Sequence, residues 1–565
     1  MKRHLRSLLA QALEKTAKGG ELKTTDLPPL LLEPPKQREF GDLATNVALL
    51  WAKSAGKSPR AIADMILKNL EDPGGTLVKA EVAGPGFLNF SFSPRFCLQR
   101  LQEVEEGREM GLNLGQGEKV QVEFASVNPT GPLHVGHGRV AVIGDVLARL
   151  LEAAGYHVER EYYVNDTGKQ IETLGLSIYL RYQELYGKKP EFPEEAYPGE
   201  YVREIAAEAR NRWAARFLSE EKQKAIEFLG RFGGETLLQE IRDDLARFGI
   251  SFDSYVSERE LRERGEVEKT IEFFRFRELI YPEEGALWFR STQFGDDKDR
   301  TVIKSDGDLT YFASDMAYHR NKIGRGFKRL INVWGADHHG YVPRLKAAIK
   351  ALGYDPEILQ VVLVQMVHLT RGGEPVRMGK RLGEFVSLSE VLEEVGKDAA
   401  RFFFLIRRAD THLDFDLELA KKESSENPVF YVQYAYARIA SIFEQARQRG
   451  VGDFMLRDIE IERLALPEEM DLIKLVIQFP EVIEESVREL EPHRVVFYLL
   501  ELAGEFHRYY NRFRVISDDL PLTRARLLLV RNVQKVIRQG LELLGVKAPE
   551  RMAGRADADF QQGGE

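Results

Sequence analysis

The stretch SVNPTGPLHVGHGRV contains a pair of histidines, His134 and His137, on either side of a Val-Gly dipeptide. Their imidazole nitrogens could bind a metal ion, or they could donate hydrogen bonds to phosphate oxygens. A zinc site would need further ligands, which Asp337, His338 and His339 could supply. The pair could also do no more than help a helix to begin. The surrounding elements decide which of these chemistries is favoured.

The elements on both sides of the histidines favour the phosphate interpretation. The preceding residues KVQVEFAS alternate in polarity, which predicts a strand, and the following GRVAVIGDVLARLLEAAG has helical spacing up to Gly155. A second strand, YHVEREYYVND, completes a βαβ unit and predicts a parallel sheet. The histidines then lie where phosphates meet the N-terminus of a helix, and Gly136 lets a flat base approach the backbone. The turn lacks G-x-x-x-x-G-K, so it is not a P-loop.

A basic stretch, RGGEPVRMGKRLGEFV, is the second candidate for chemistry. It carries Arg377, Lys380 and Arg381 among glycines, which predicts a mobile loop with a strong positive field. Such a loop could be no more than solvated surface. It follows the apolar residues VVLVQM, which we interpret as a strand of the same sheet, so we expect it at the carboxyl edge where open α/β folds bind ligands. Basic side chains that close over a triphosphate would stabilise the charge on leaving pyrophosphate.

The order of the patterns predicts how the chain of 565 residues is organised. Residues 1–112 form a small α+β domain, and residues 113–425 form a parallel-sheet domain with a helical, charged insertion at about 166–300. Residues 426–552 have an apolar period of about 3.6 residues, which predicts a helical bundle. The tail 553–565 lacks an apolar pattern and is expected to be disordered.

Composition narrows the class of protein. No apolar run approaches the roughly 20 residues of a membrane-spanning helix, and the basic N-terminus lacks the apolar core of a signal peptide. The single cysteine, Cys97, excludes internal disulfides and thiolate zinc clusters and fits a reducing cytoplasm. The net charge of −9 argues against general nucleic-acid binding but not against local basic patches. We therefore expect a cytoplasmic globular protein without a membrane partner. We take it to be a monomer, although composition does not determine the oligomeric state.

The two stretches together resemble a known enzyme family. PTGPLHVGH resembles the HIGH signature of class I aminoacyl-tRNA synthetases, RMGKR resembles their KMSKS loop, and GADHH resembles a Gly-x-Asp-x segment that follows a later strand of that class. The pieces VEFASVNPTGPLHVGH, YYVNDTGKQI, LTYFASDMAYH and NPVFYVQYAYARIASIF narrow the resemblance to the arginyl-tRNA synthetase family. Gly379 and Arg381 replace both serines of the signature loop, which leaves open how strictly this chain needs tRNA before it activates arginine.

The resemblance implies a fold class and a reaction. The fold is α/β: a Rossmann-like parallel-sheet catalytic domain with an insertion, an N-terminal α+β domain that binds the outer corner of tRNA, and a C-terminal α-helical bundle that binds the anticodon. The reaction attaches L-arginine to tRNA(Arg), with ATP and Mg²⁺, through an arginyl-adenylate. Neither step needs a protein nucleophile, so catalysis consists of positioning and charge stabilisation.

The resemblance also implies which residues act. The catalytic residues would be His134, His137 and Lys380. The ATP site adds a set around both signature stretches: Pro129, Thr130, Gly131, Gly136, Asp337 and Met378. The arginine site comprises carboxylates and neutral acceptors suited to a planar guanidinium, namely Glu123, Asn128, His134, Tyr311, Asp315 and His338. A carboxylate that accepts two parallel N–H bonds favours arginine over lysine. No resident metal site is expected.

Residues for tRNA contact are expected in both outer domains. Basic residues are concentrated between His507 and Gly540, with Tyr509, Tyr510 and Phe513 interleaved among the first of them. This pattern suits phosphate contacts and stacking on unpaired bases, although it could also be a polar helix face over core aromatics. By the resemblance, the candidates are Phe87, Asn89, Tyr431, Tyr434, Arg438, Arg512 and Arg531. The alternatives to this function are a class I synthetase for another amino acid, a small nucleotidyltransferase, a non-enzymatic RNA-binding paralogue and a zinc enzyme.

Overall fold

A computed structural model describes residues 1–19, 26–107, 112–376, 386–451 and 454–552. The signature-loop residues predicted to bind nucleotide, Met378 and Lys380, lie outside these ranges, as does the tail 553–565. Among the described residues, no helix is both long and apolar enough to cross a membrane.

The N-terminal region is an α+β unit, as the sequence predicts. An antiparallel sheet in the order β1-β3-β2 packs against helices around the fully buried Trp51 and Phe90. The elements are α1 (Lys2–Lys18), β1 (Leu43–Thr45), α2 (Val47–Ala55), α3 (Pro59–Lys68), β2 (Leu77–Ala83), β3 (Phe87–Phe92) and α4 (Pro94–Glu105).

The middle of the chain builds a parallel sheet. Its first βαβ unit is β4 (Lys119–Phe124), α5 (Val135–Ala153) and β5 (His157–Val164). The next elements are α6 (Lys169–Glu184), α7 (Glu200–Trp213), α8 (Arg216–Ser219), α9 (Lys222–Arg247), β6 (Ser254–Ser257), α10 (Glu258–Glu263), α11 (Glu266–Phe276), β7 (Ile280–Glu283), β8 (Ala286–Phe289) and β9 (Arg300–Ile303).

The sheet is completed after this segment. The elements are α12 (Tyr311–Gly324), β10 (Arg329–Gly335), α13 (Val342–Ala351) and β11 (Leu359–Val364). Within the described residues the parallel sheet has five strands in the order β11-β10-β4-β5-β6. The fold class predicted for this region, α/β with a parallel sheet, is confirmed.

One strand of this sheet lies inside the segment predicted to be an insertion. Helices α6, α7 and α9 have a hydrophobic core of their own, but the chain then returns to the sheet edge, where β6 pairs with β5. β6 has only four residues, each of intermediate exposure, so it carries no alternation that the sequence could reveal. Strands β7, β8 and β9 form a separate antiparallel sheet.

The basic stretch does not follow the central sheet directly. β11 ends at Val364, and the chain then enters a second small sheet made of β12 (Val367–Arg371), β13 (Glu374–Pro375) and β14 (Leu413–Asp416). The buried Arg139 side chain on α5 stabilises this change of direction, since it donates to the Gln365, Arg408 and Thr411 carbonyls at 2.8 Å each. In the sequence, β11 and β12 form one continuous apolar run, which predicts a single strand. The contacts of Arg139 that separate them depend on the tertiary structure and cannot be recognised from periodicity.

The C-terminal part is helical, as predicted. Between β13 and the bundle lie α14 (Leu388–Val395), α15 (Lys397–Leu405) and, after β14, α16 (Leu417–Lys421). The bundle consists of α17 (Pro428–Gln448), α18 (Pro467–Glu489), α19 (His493–Arg512) and α20 (Leu520–Leu544). The apolar faces of these helices merge with the core of the central sheet into one continuous cluster of buried residues.

A fully buried arginine joins three parts of the chain. The guanidinium of Arg401 on α15 donates to the Asp145 carboxylate on α5, to the Phe248 carbonyl after α9 (3.2 Å) and to the Leu544 carbonyl at the end of α20 (2.7 Å). Loss of the guanidinium would leave a buried carboxylate and two buried carbonyls short of donors. The helix that carries the histidine pair is thereby tied to the bundle.

Arg401→Met is expected to lower the free energy of unfolding by about 3 kcal/mol, because breaking a buried ion pair leaves one charge uncompensated. The cost stays at the lower end of the usual range since Arg149 also contacts Asp145, at 2.8 Å. Arg447→Met removes an exposed pair with Glu444 and should cost less than about 1 kcal/mol. Urea denaturation measures both variants, and equal losses would contradict the role of Arg401.

Candidate active site

The histidine pair is held by a capped helix terminus. His134 precedes α5, and its Nδ1 accepts from the backbone N–H of Gly136 (3.1 Å) and of His137 (3.4 Å). The His137 Nδ1 in turn accepts from the His134 backbone N–H (3.3 Å), and the two rings stack with centroids 3.5 Å apart. Because both Nδ1 atoms accept, each neutral ring carries its proton on Nε2. The local fold therefore sets the tautomer of both imidazoles as donors through Nε2.

The second ring stays neutral over the physiological range. Burial, together with the neighbouring His134, lowers the pKa of His137 to about 3. The ring is thus a neutral donor and not a cation at neutral pH. Such a donor suits hydrogen bonding to a phosphate oxygen without a change in its own charge.

The turn before the histidines is supported from the neighbouring strand. Ala125 adopts a left-handed φ of 55°, which a residue with a side chain rarely does. The hydroxyl of Tyr162 on β5 accepts from the Val127 N–H (3.1 Å) and donates to the Val127 carbonyl (2.8 Å). Strained backbone of this kind persists where surrounding contacts hold it, and it is frequent at functional sites.

The residues expected at the phosphates lie in this turn. Pro129 is buried, and the Thr130 carbonyl accepts from the Tyr201 hydroxyl (2.8 Å). A Cβ atom on Gly131 would lie 3.4 Å from the same hydroxyl oxygen, so this side of the turn is covered by α7. Within the sequence, nothing indicated that the helical insertion reaches back to the turn.

The described end of the basic stretch returns to the histidines. The Leu388 N–H donates to the Leu133 carbonyl (2.8 Å), and Ser387 forms an isolated bridge with His134. The Ser387 hydroxyl then caps α14. This contact joins the two stretches singled out by the sequence, although Met378 and Lys380 themselves lie outside the described residues.

Asp337 and His338 lie at the carboxyl end of β10, in a short 3₁₀ segment, Ala336–Tyr341. Their side chains are largely exposed, and the distance from the Asp337 carboxylate to the His338 Nε2 is 3.6 Å. They therefore line the same sheet edge as the histidine turn, since β10 is the neighbour of β4. Across the described ranges, no group of three or more acidic, histidine or cysteine side chains is placed to hold a metal ion.

Carboxylates gather at the carboxyl ends of the strands beside the histidine turn. Glu123 on β4 is buried, and its carboxylate accepts from the Lys322 ammonium (2.6 Å) and the Ser126 hydroxyl (3.1 Å). Glu258, directly after β6, is also buried and accepts from the Arg262 guanidinium (2.5 Å). Both carboxylates are thus matched by internal cations. Glu123 is thus not a free carboxylate, since Lys322 contacts its Oε2 and Ser126 its Oε1, and its contact with arginine stays a prediction.

Asp315 on α12 differs from these carboxylates. It accepts from the Tyr341 hydroxyl, and among the described residues it has no ion-pair partner. Burial raises the pKa of Asp315 to about 7, and the nearby Glu258 and Glu123 add to the rise, against the Tyr341 hydrogen bond and the Lys322 charge. The site therefore holds one carboxylate that lacks a matching cation.

The neutral residues predicted for the same site are close by. Tyr311, one helical turn before Asp315, is 50% exposed, and a Cβ atom on Gly168 would lie 3.3 Å from its hydroxyl oxygen. The Asn128 amide donates to the Gln170 side chain (2.5 Å), so Asn128 is turned toward α6.

Sequence reasoning missed three residues of this site. Lys322 and Asp315 are seven positions apart on α12, a helical repeat that could have placed Lys322 beside the carboxylates. Glu258 follows a strand too short to recognise, and Tyr341 follows the GADHHG segment. Glu258 and Tyr341 approach Asp315 only because of the order of the strands in the sheet.

The N-terminal residues expected to contact tRNA differ in exposure. Phe87, at the start of β3, is 42% exposed, whereas Asn89 is 5% exposed and lies between β1 and β2. The Asn89 side chain is therefore largely covered in this structure, and its contact with tRNA stays a prediction. Three consecutive residues of β3, Leu88, Asn89 and Phe90, are buried, so both faces of the strand are covered at that position.

The C-terminal candidates fall into two groups. Tyr434 and Arg438 are nearly buried, and the Arg438 guanidinium contacts the Tyr434 ring (4.6 Å) and the His507 Nδ1 (3.3 Å). Tyr431 is half-buried against the same histidine, with ring centroids 4.7 Å apart. These three residues form one packed cluster at the start of the bundle.

Two arginines of the bundle were expected to contact phosphates. The Arg512 side chain is 64% exposed and pairs with Glu468 (2.7 Å). Arg531 pairs instead with Glu105 of α4 (2.7 Å) and lies over the Phe454 ring (4.7 Å). Arg531 therefore joins the bundle to the N-terminal region in this structure, which its charge alone could not reveal.

Comparison with known proteins identifies the family. Family models match residues 101–411 as the class I (R) tRNA synthetase catalytic domain, residues 3–92 as the arginyl-tRNA synthetase N-terminal domain, and residues 432–552 as the DALR anticodon-binding domain. The chain belongs to the arginyl-tRNA synthetase family. The predicted family and enzyme class are therefore confirmed.

Individual relatives of this synthetase family agree along the whole chain. The arginine–tRNA ligase of Geobacter sp. (strain M21) is 50% identical over 98% of this chain and 100% of its own length. The arginine–tRNA ligase of Bacillus licheniformis is 44% identical over 97% of this chain and 99% of its own. The arginyl-tRNA synthetase of Thermus thermophilus, at 24% identity, shares the fold with a TM-score of 0.79 over 98% of this chain and 100% of that structure.

Gly136→Ala tests whether the cap positions the His134 ring. The new Cβ would lie 3.0 Å from the Cε1 atom of the His134 ring, so the ring must move. The weakened hydrogen bond from the residue 136 N–H to the His134 ring offsets the gain in helix propensity, which is about 1 kcal/mol. We expect nearly unchanged stability but about fivefold weaker ATP binding, the equivalent of one hydrogen bond.

The matched control for this variant is Gly324→Ala in α12, where the new Cβ meets no atom within 4 Å. This variant should gain stability and bind ATP like the parent protein. Titration calorimetry and thermal melting measure both quantities. Parent-like ATP affinity in Gly136→Ala would contradict the positioning role of the cap.

Proposed function

We propose that this chain is an arginine–tRNA ligase that joins L-arginine to tRNA(Arg) through an arginyl-adenylate, with ATP as the energy source. The observation that carries the proposal is the unmatched carboxylate of Asp315 among carboxylates that already have cations. One substrate guanidinium completes the charge balance of this site. Its planar fork of five N–H donors matches a carboxylate better than an ammonium does.

The first step proposed for this site is arginine activation. The arginine carboxylate attacks the α-phosphorus of ATP, and pyrophosphate leaves with the Mg²⁺ that accompanies the nucleotide. The Nε2–H groups of His134 and His137, set by the capped turn, donate to phosphate oxygens as charge shifts toward the leaving group. We assign Lys380 the complementary role from the side of the signature loop. Pro129, Thr130, Gly131, Gly136, Asp337 and Met378 remain the proposed nucleotide contacts.

The second step transfers arginine to the terminal adenosine of tRNA, whose hydroxyl attacks the mixed anhydride. No protein nucleophile is required, so the chain contributes position and charge. Exposed Phe87 and Arg512 are the tRNA contacts that geometry supports best. The cluster of Tyr431, Tyr434 and Arg438 would contribute through Tyr431, its least buried member.

Arginine recognition centres on Asp315. Its carboxylate accepts the guanidinium fork, Tyr311 lies one turn away on the exposed side, and His134, Asn128 and His338 border the substrate from the sheet edge. Glu123, which is paired with Lys322, adds its negative charge to the site and remains a proposed arginine contact.

We also propose that the enzyme is a cytoplasmic monomer with an N-terminal tRNA-recognition domain at 1–112, a catalytic domain at 113–425 and an anticodon-binding domain at 426–552. The one cysteine of the chain is buried, in keeping with a reducing compartment.

Aminoacylation of bulk tRNA with labelled arginine tests the function, with labelled lysine as the matched control amino acid. We expect ATP-dependent charging with arginine and none above background with lysine, because a single-point ammonium leaves acceptors of the site unpaired. Charging with lysine, or with neither amino acid, would contradict the proposal.

The pKa of Asp315 predicts how arginine binding depends on pH. The pKa of the Asp315 carboxyl is raised to about 7, so the group is charged above that pH and increasingly neutral below it. Only the charged form attracts a guanidinium. The KM for arginine should rise about tenfold between pH 8 and pH 6, the change expected for one titrating group. Asp315→Asn should show a high KM without this dependence, since the amide does not titrate. A flat profile for the parent enzyme would be inconsistent with the role of Asp315.

A further inference from the structure

Tyr163, near the end of β5, is held rigidly beside the acidic site. Its backbone N–H donates to the Ser126 hydroxyl (3.0 Å), which itself donates to the Glu123 carboxylate (3.1 Å). Its ring stacks on Tyr318 of α12, with centroids 4.4 Å apart and an angle of 27° between the planes. The backbone and the ring are therefore fixed from two different elements.

The hydroxyl of Tyr163 is the unusual part. Within the described ranges, its oxygen is buried and has no hydrogen-bond partner. Three buried tyrosines nearby do have hydrogen-bond partners: Tyr162 bonds to Val127, Tyr318 to Glu161 and Tyr341 to Asp315. A buried hydroxyl without a partner is costly and calls for an explanation, such as a ligand that completes it.

The groups that surround this hydroxyl indicate what such a ligand would be. Burial raises the pKa of Tyr163 well above its ordinary value, and the nearby carboxylates of Glu258, Asp315 and Glu123 raise it further, against the charge of Arg262. The phenol thus stays protonated and neutral, and it is close enough to the carboxylates of the proposed arginine site to feel their charge. A neutral oxygen at this position can accept one N–H from a cation that the carboxylates attract.

We propose that Tyr163 is a specificity-determining residue for arginine, whose hydroxyl oxygen accepts an N–H of the substrate guanidinium while Asp315 accepts the fork. This inference rests on the proposed function, because it names a further contact at the same proposed arginine site. A guanidinium has donors enough for both partners, whereas the three N–H groups of an ammonium diverge from one point.

Tyr163→Phe removes the hydroxyl alone and keeps the stack on Tyr318. We expect the KM for arginine in tRNA charging to rise about tenfold with kcat within twofold, since one hydrogen bond from a charged donor is lost. The Tm of the arginine-free variant should not fall, because an unsatisfied buried group has been removed. The rise in Tm that saturating arginine produces should shrink.

Tyr498→Phe is the matched control in the helical bundle. Its hydroxyl is buried and donates to the Leu475 carbonyl (2.8 Å), so the variant should lower the Tm and leave the KM for arginine unchanged. The two variants separate a ligand contact from a structural hydrogen bond. Tyr163→Phe should change the KM for arginine and not lower the Tm, whereas Tyr498→Phe should lower the Tm and leave the KM unchanged.

The outcomes also separate this inference from the function on which it rests. If the parent enzyme does not charge tRNA with arginine, the proposed function fails. If the parent enzyme charges tRNA and Tyr163→Phe keeps its KM, the inference alone is overturned. A lower Tm in the arginine-free variant, with an equal loss of kcat, would indicate a structural role and would overturn it as well.

Discussion

The ion pair between Lys322 and Glu123 is the interaction on which the arrangement of the site depends. It joins α12 to the central strand of the sheet, and Lys322 also donates to Asn332 of β10 (3.1 Å). Taking two charges out of water is expensive, so such a pair persists only where further polar partners satisfy it. Ser126, Asn332 and the Tyr318 ring do so here, since the ammonium lies 4.3 Å from that ring. The orientation of α12, and with it Asp315, follows from this pairing.

Close packing fixes the other half of the site. α5 carries the histidines at its N-terminus, and glycines let it approach its neighbours: a Cβ on Gly144 would lie 2.1 Å from Phe124 of β4, and one on Gly138 would lie 2.6 Å from Leu388. Interiors are dense enough that such contacts leave little freedom. The histidine turn is therefore held against both the sheet and the described end of the basic stretch.

These two constraints explain the division of roles among the acidic residues. Glu123 and Glu258 are matched by Lys322 and Arg262, so their charges hold the architecture together. Asp315 has no cation partner among the described residues and accepts from the neutral Tyr341 hydroxyl, while burial, with the nearby charges of Glu258 and Glu123, raises its pKa. A site with one carboxylate in excess is suited to one cationic ligand, and the proposed contact with the neutral Tyr163 hydroxyl would favour a ligand with several N–H donors.

Sequence alone determined the fold class, the family and the place of the histidine turn, because these depend on local patterns: alternation in β4, helical spacing in α5 and motifs in a fixed order. Tertiary structure decided which side chains remain available to a substrate. The partners Glu123 and Lys322 are 199 positions apart, Asn89 is buried on a central strand, and Arg531 is paired with Glu105 of α4. The edge strand β6 and the break between β11 and β12 were also decided there. The physical reason is the same throughout. Charge pairing and burial depend on which elements are in contact in the folded chain, and periodicity along the sequence does not determine those contacts.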